Sequence, residues 1–246
     1  MEEIRLLHKN YTFDKIWFVD DVFTINHRWV REFARLVLES GKITPYEVIT
    51  RADRMNTEVV ELLKASGCFR VWIGAESGSQ TVLDAMNRMV KIEKVKEAIY
   101  LAQGAGIEAG TFIMLGYPGE TEKDILATVD YLKEANPDQF TLTVAYPIKG
   151  TPFYEEVEDL FIEELPWETT TDRDIDFKRP YTRKYYDHAM NWVIQEVASH
   201  RAPFLQAAFL KAKWRAMKSR AGMYMERWAF GTYRSLGGIL KLPSKY

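Results

Sequence analysis

Residues 110–121 read GTFIMLGYPGET, and the order of their chemistry decides the fold. Thr111–Leu115 is a short apolar run of strand composition that breaks at Gly116-Tyr117-Pro118-Gly119. Thr121, with Asp124 three residues on, forms a capping-box pattern ahead of Ile125, Val129 and Leu132, which share one face of a helix. A strand, a glycine turn and a capped helix make one βα unit.

The unit recurs outward in both directions. Lys15–Val19, Glu47–Thr50, Arg70–Gly74 and Gln139–Ala145 read as further strands, each apolar and rich in β-branched or aromatic residues. Asn26 is placed to cap a helix whose apolar face is Val30, Phe33, Ala34, Val37 and Leu38, and Asn56 to cap Val59–Leu63. Gly41, Gly67 and Gly106 stand where these helices should stop. Strands buried on both faces and joined by helices predict a parallel sheet, open or curled into a barrel. Residues 1–10 read as a helix ahead of the first strand, and an α/β chain that opens on a crossover helix implies a strand before it. After Gly150 the pattern changes. Residues 155–182 are acidic and broken by Pro166 and Pro180, Arg183–His200 and Pro203–Lys218 read as helices, and the Gly-rich end reads as loose.

The chain has 246 residues, enough for one large domain or a domain with an appendage. Its 47% hydrophobic and 28% charged residues exclude a disordered or collagen-like chain. No apolar run approaches the ~18 residues of a spanning helix. The first residues, Met-Glu-Glu-Ile-Arg, are unlike a signal peptide, so the expected location is the cytoplasm. The single cysteine, Cys68, excludes an internal disulfide and any multi-cysteine metal site built from this chain alone; its flanks predict a buried thiol. Net charge is −2, unevenly spread: residues 201–246 hold ten Lys/Arg against Glu226, leaving −11 for residues 1–200. Within the tail, Lys211, Arg215 and Lys218 alternate with Phe209, Leu210, Trp214 and Met217. This basic amphipathic pattern suits an anionic membrane surface or an acidic partner, and equally a solvated face packed on the barrel. No nucleic-acid partner is expected.

Parallel α/β folds bind ligands at the carboxyl ends of their strands. There the sequence places Asp20-Asp21, Arg51, Glu76-Ser77-Gly78-Ser79, Gly116–Thr121 and Tyr146-Pro147. Paired carboxylates can hold a metal or an ammonium group; Asp20 and Asp21 fit a strand-end turn equally well. Glu76 follows a buried run and needs a cationic or hydrogen-bonded partner, an ion pair with an arginine such as Arg51 being the structural alternative. Arg88, twelve residues on, can return a guanidinium toward a ligand carboxylate or lie solvated. The glycines and free amides of GYPGET suit close approach by an anion or an adenine edge. His8, His27, His188 and His200 have no metal-ligand spacing.

In order, FVDDVF, ITRADRM, VWIGAESGSQTVLDAMNR, GTFIMLGYPGET and VAYPIKGTPFY resemble the core of a radical S-adenosylmethionine (SAM) enzyme. The resemblance is to the branch with an upstream cobalamin-binding domain, which includes methyltransferases and the anaerobic magnesium-protoporphyrin monomethyl ester cyclase type. It covers about residues 1–155. It implies a partial parallel (βα)6 barrel lacking its first strand, then a mainly helical extension: a barrel core at 1–155, a helical continuation at 156–200 and a basic tail at 201–246. It implies SAM, a [4Fe–4S] cluster and, in a longer protein, cobalamin as cofactors, and a small organic molecule as substrate. By motif, Asp20 and Asp21 would face the SAM methionyl or substrate side. Glu76 and Ser77 would hydrogen-bond SAM, Arg88 would meet its carboxylate, and Gly116–Pro118 would approach the adenine. Arg51 belongs to the same rim. Phe112 stands where several relatives place a ribose-binding aspartate. The family's CxxxCxxC loop, which supplies three thiolates to the cluster, is not in these residues and is expected upstream of residue 1. Two rivals stay open: a non-catalytic SAM-pocket remnant that acts in binding, and an unrelated parallel α/β enzyme using Asp20 and Asp21 with a divalent ion.

Overall fold

The computed structural model describes residues 1–163 and 170–236. The chain begins with α1 (Glu2–Asn10), β1 (Ile16–Phe18), α2 (His27–Glu39) and β2 (Tyr46–Thr50), then α3 (Thr57–Ala65) and β3 (Cys68–Glu76). It continues through α4 (Gln80–Ala85), α5 (Ile92–Gly104), β4 (Glu108–Leu115), α6 (Glu122–Ala135), β5 (Gln139–Val144) and α7 (Pro152–Val157), and ends with α8 (Arg183–Arg201) and α9 (Ala207–Leu236). The strands form one sheet in the order β1-β2-β3-β4-β5. β1 to β4 pair in parallel, with Ile16 opposite Tyr46, Val48 opposite Val71 and Val71 opposite Ala109. Sequential parallel order with a helix in each crossover is the run of a βα barrel wall, as the sequence predicts.

The local signals act where they were placed. Asn26 Oδ1 accepts the Trp29 N–H at 3.2 Å and Asn56 Oδ1 the Val59 N–H at 2.9 Å. Asp124 Oδ2 accepts the Thr121 N–H at 2.9 Å and its hydroxyl at 2.6 Å. Gly41, Gly67 and Gly106 all take positive φ at helix ends.

Contacts divide the chain into two compact units: Met1–Ile113 with Asp130–Thr141, and Met114–Val129 with Leu142–Tyr246. The first is built on Val48, Val71, Ile73 and Ala109 of the sheet, all fully buried, with Val59, Val60 and Leu63 of α3 and Val95, Ile99 and Ala102 of α5. Phe33 of α2 meets Phe18 and Tyr46 edge-on, at centroid distances of 5.9 and 5.6 Å. The second unit has an apolar cluster of Ala145, Val157 and Phe177 with Met114, Phe153, Leu160 and Phe161. It also has the α8–α9 pair, which buries Tyr185, Tyr186, Ala189 and Val193 on one helix and Ala212, Ala216 and Met223 on the other. Gly222 permits this packing, since a Cβ there would lie 2.7 Å from the His188 ring.

Three expectations need correction. β1 and β5 are not buried on both faces: Trp17 and Val19 are exposed, and the burial of β5 alternates. Among the described residues they are the end strands of the sheet, each with one strand neighbour, which composition does not reveal. The last helix begins at Ala207, not Pro203, because Pro203–Gln206 forms a turn. It then runs to Leu236, well past Lys218 and through Gly222 and Gly231, while Gly237 and Gly238 lie outside the described residues. Pro166, Lys241 and Lys245 lie outside the described residues.

Candidate functional site

In the first unit the chemistry gathers at the carboxyl end of β3. The β3–β4 register shifts between Gly74 and Glu76, and Glu76 itself takes a φ of 64°. Such a bulge re-aims the side chain at a strand end. Glu76 Oε1 pairs with Arg88 Nη2 at 3.0 Å, both side chains remaining partly exposed. Burial lifts the Glu76 carboxyl above its ordinary range, against the opposing pull of Arg88. Gly74 makes room for the pair: a Cβ there would stand 3.1 Å from both Arg88 Nη2 and Glu76 Oε1. Asn87 and Met89, on either side of Arg88, also take positive φ, at 52° and 51°. The loop is thus turned so that the arginine returns to the strand that precedes it.

Arg51 is not the partner of Glu76. Its guanidinium is held by Asp53, two residues on, at 2.9 and 3.3 Å. Arg51 and Arg88 nevertheless line one small cleft with Ala52, Asp53, Gly74 and Val90. Each guanidinium already carries a carboxylate there, Arg51 that of Asp53 and Arg88 that of Glu76. Ser77 is fully buried, and its Oγ accepts the Ser79 N–H at 3.1 Å. Asp20 and Asp21 are exposed in the turn after β1. Phe112 stacks on Trp72 at a centroid distance of 5.0 Å, so this position packs the sheet face.

In the second unit, Gly116 takes a φ of 83°, and its peptide groups are held on both sides. The N–H donates to Glu120 Oε2 at 2.5 Å, and the carbonyl accepts from Arg179 Nη1 at 3.3 Å. Arg179 also donates to the Ala145 carbonyl at 3.1 Å and pairs with Asp176. Its ring contact with Phe177 is close, 4.0 Å from guanidinium carbon to centroid. Glu120 is fully buried, and burial pushes its carboxyl up to about 8. Pro118 is half-buried, beside Tyr117, which stacks on Phe153 and donates to Glu156 at 2.9 Å. Glu120 lies inside a motif whose glycines carry its sequence signal, and no local pattern marks Arg179.

Among the described residues no group of three or more His, Cys, Asp or Glu is placed to hold a metal ion. Cys68 is buried, its thiol donates to the Arg70 carbonyl at 3.3 Å, and burial pushes it up to about 12. The three thiolates of a [4Fe–4S] site are therefore not supplied by these residues, and a divalent-ion role for Asp20 and Asp21 finds no third ligand here.

A family profile described as the radical SAM superfamily matches residues 1–132. An uncharacterized methyltransferase of Pyrococcus horikoshii is 30% identical over 156 residues, 63% of this chain and 34% of the relative. The anaerobic magnesium-protoporphyrin IX monomethyl ester cyclase of Rubrivivax gelatinosus is 24% identical over 161 residues, 65% of this chain and 29% of the relative. Among solved structures, the radical SAM methyltransferase TsrM of Kitasatospora setae, with cobalamin and a [4Fe–4S] cluster bound, superposes with a TM-score of 0.62 at 13% identity. That superposition covers 89% of this chain and 54% of TsrM, and it shows a shared fold. The chain spans about a third of the length of these curated relatives.

Proposed function

The chain belongs to the radical SAM superfamily, and on that premise we propose that it is the SAM-binding core of an enzyme of radical or cobalamin-dependent methyl-transfer chemistry acting on a small organic substrate. The observation that carries this reading is the Glu76–Arg88 pair over Gly74, with Arg51 in the same cleft. We assign Arg88 to the SAM carboxylate and Glu76 to its ammonium group, so that ligand binding exchanges one ion pair for two charge-assisted contacts. By motif, Ser77, Arg51, Asp20 and Asp21 are assigned to the same ligand or its substrate side. By motif, Gly116–Pro118 are assigned to the adenine. Residues 1–155 are read as the barrel core, 156–200 as its helical continuation and 201–246 as a basic tail facing an anionic surface or an acidic partner.

Cobalamin and the cluster are cofactors of the whole enzyme in this reading. No cysteine set in this chain fits the cluster, and no step is drawn through it. Saturable one-to-one binding of radiolabelled SAM, by anaerobic equilibrium dialysis of the protein expressed from its natural reading frame, is the expected result. Absence of saturable binding overturns the reading. In a second reading these residues bind SAM without cleaving it. Bound SAM, with neither iron nor 5′-deoxyadenosine formed after reconstitution, would select it.

A further inference from the structure

Helix α9 carries two apolar faces. Ala212, Ala216, Gly222 and Met223 are buried on the side that packs on α8. Leu210, Trp214, Met217, Ala221 and Tyr224 follow one another at steps of four and three residues. At ~100° per residue they form a second stripe on the opposite side. This stripe is open to solvent: Trp214 is 64% exposed, Met217 70%, Tyr224 56% and Met225, beside it, 67%. Phe204 and Leu205, exposed in the turn before the helix, extend the apolar surface at its N-terminal end.

Cations border the stripe on both sides. Lys211, Arg215 and Lys218 are exposed along one edge, with Lys218 over the Trp214 ring. Along the other edge, Lys213 pairs with Glu196, and Arg220 and Arg227 pair with Glu122. The one acid of the helix, Glu226, is turned away and accepts a hydrogen bond from Thr182. We propose that this outward face of α9 lies on an anionic lipid surface, its Trp, Tyr and Met side chains in the headgroup boundary and Lys211, Arg215 and Lys218 on the lipid phosphates.

The side chains and the charge select this occupant. A second copy meeting stripe to stripe in antiparallel would set Lys211, Arg215 and Lys218 against the same three cations, and in parallel would set them against acids already held by Lys213, Arg220 and Arg227. Trp, Met and Tyr along the seam also differ from the β-branched and Leu knobs of a helix pair, whereas aromatic residues flanked by Lys and Arg are what an interface-lying helix presents. The helix rests on the surface and does not cross it: among the described residues no helix is long and apolar enough to span a membrane. This inference narrows the two occupants named for the tail to one. It needs neither SAM nor a cluster, so its failure leaves the SAM reading untouched.

The test is co-sedimentation of the full chain with large vesicles of phosphatidylcholine alone and of phosphatidylcholine with phosphatidylglycerol in equal parts. Binding to the anionic vesicles only, weakened by added salt, is expected. The triple variant Trp214→Ser, Met217→Ser, Tyr224→Ser should abolish it, and Lys211→Gln, Arg215→Gln, Lys218→Gln should weaken it about a hundredfold. All six positions are exposed, so the variants should keep the wild-type circular dichroism. Equal binding to neutral vesicles, binding unchanged in the stripe variant, or a wild-type dimer in light scattering that the stripe variant turns to monomer would each overturn the proposal.

Discussion

Arg179 Nη1 bridges the carbonyl oxygens of Gly116 and Ala145, at 3.3 and 3.1 Å, from a side chain only 1% exposed. These carbonyls follow the ends of β4 and β5, so one guanidinium joins two strand ends within the second unit. Arg179→Met would leave both carbonyls and Asp176 without that donor. The expected loss is about 2–4 kcal/mol of unfolding free energy, since hydrogen bonds to charged groups carry ~1.5–3 kcal/mol and Asp176 keeps some water. Urea denaturation measures it, and an unchanged midpoint would remove the bridge from the account.

Glu120 sets a pH dependence whose sign follows from its burial. Its carboxyl titrates near 4.5 in an open chain and is pushed up to about 8 in the fold. Between these values the folded chain keeps a proton that the unfolded chain gives up. Stability therefore falls as pH rises through that window, by up to about 1.4 kcal/mol per pH unit from this one group. Glu120→Gln keeps an acceptor for the Gly116 N–H and removes the titration. Melting temperatures from pH 5 to 8 should fall less steeply in the variant; parallel curves would contradict the assignment.

Gly110 is required by Trp72. A Cβ at that position would stand 2.5 Å from Trp72 Cε3, while the indole is already fixed by its N–H bond to Glu47 at 2.8 Å and by the stack on Phe112. Gly110→Ala should destabilise the chain by about 1–3 kcal/mol, the usual cost of overpacking. Chemical denaturation followed by tryptophan fluorescence would show it as a lowered midpoint, and an unchanged one would mean that the indole shifts freely.

The sequence made legible whatever is encoded within a few residues. The Asn26, Asn56 and Thr121–Asp124 caps bond within three residues of themselves, and a glycine at a helix end declares its own φ. Pairings across many residues were not legible. Arg179 reaches Gly116 across 63 positions, and nothing in FKRP marks it. Arg51 was the arginine named for Glu76 and Arg88 was read toward a ligand; in the structure Asp53 holds the first and Glu76 pairs with the second. Trp17 and Val19 have the composition of buried strand residues and lie exposed at the sheet's end. The length of α9 was hidden because a helix apolar on two opposite faces has no single amphipathic period.

The central claim is that Arg88 leaves Glu76 to meet the carboxylate of SAM. The measurement that tests it most directly is anaerobic calorimetry of wild type and Arg88→Ala, expressed from the natural reading frame, with SAM and with decarboxylated SAM. If the contact exists, Arg88→Ala weakens SAM by about 10- to 150-fold, the loss of one charge-assisted hydrogen bond pair, and leaves the affinity for decarboxylated SAM nearly unchanged. If both ligands bind the variant as they bind wild type, or both weaken equally, Arg88 does not read the carboxylate and the ligand lies elsewhere.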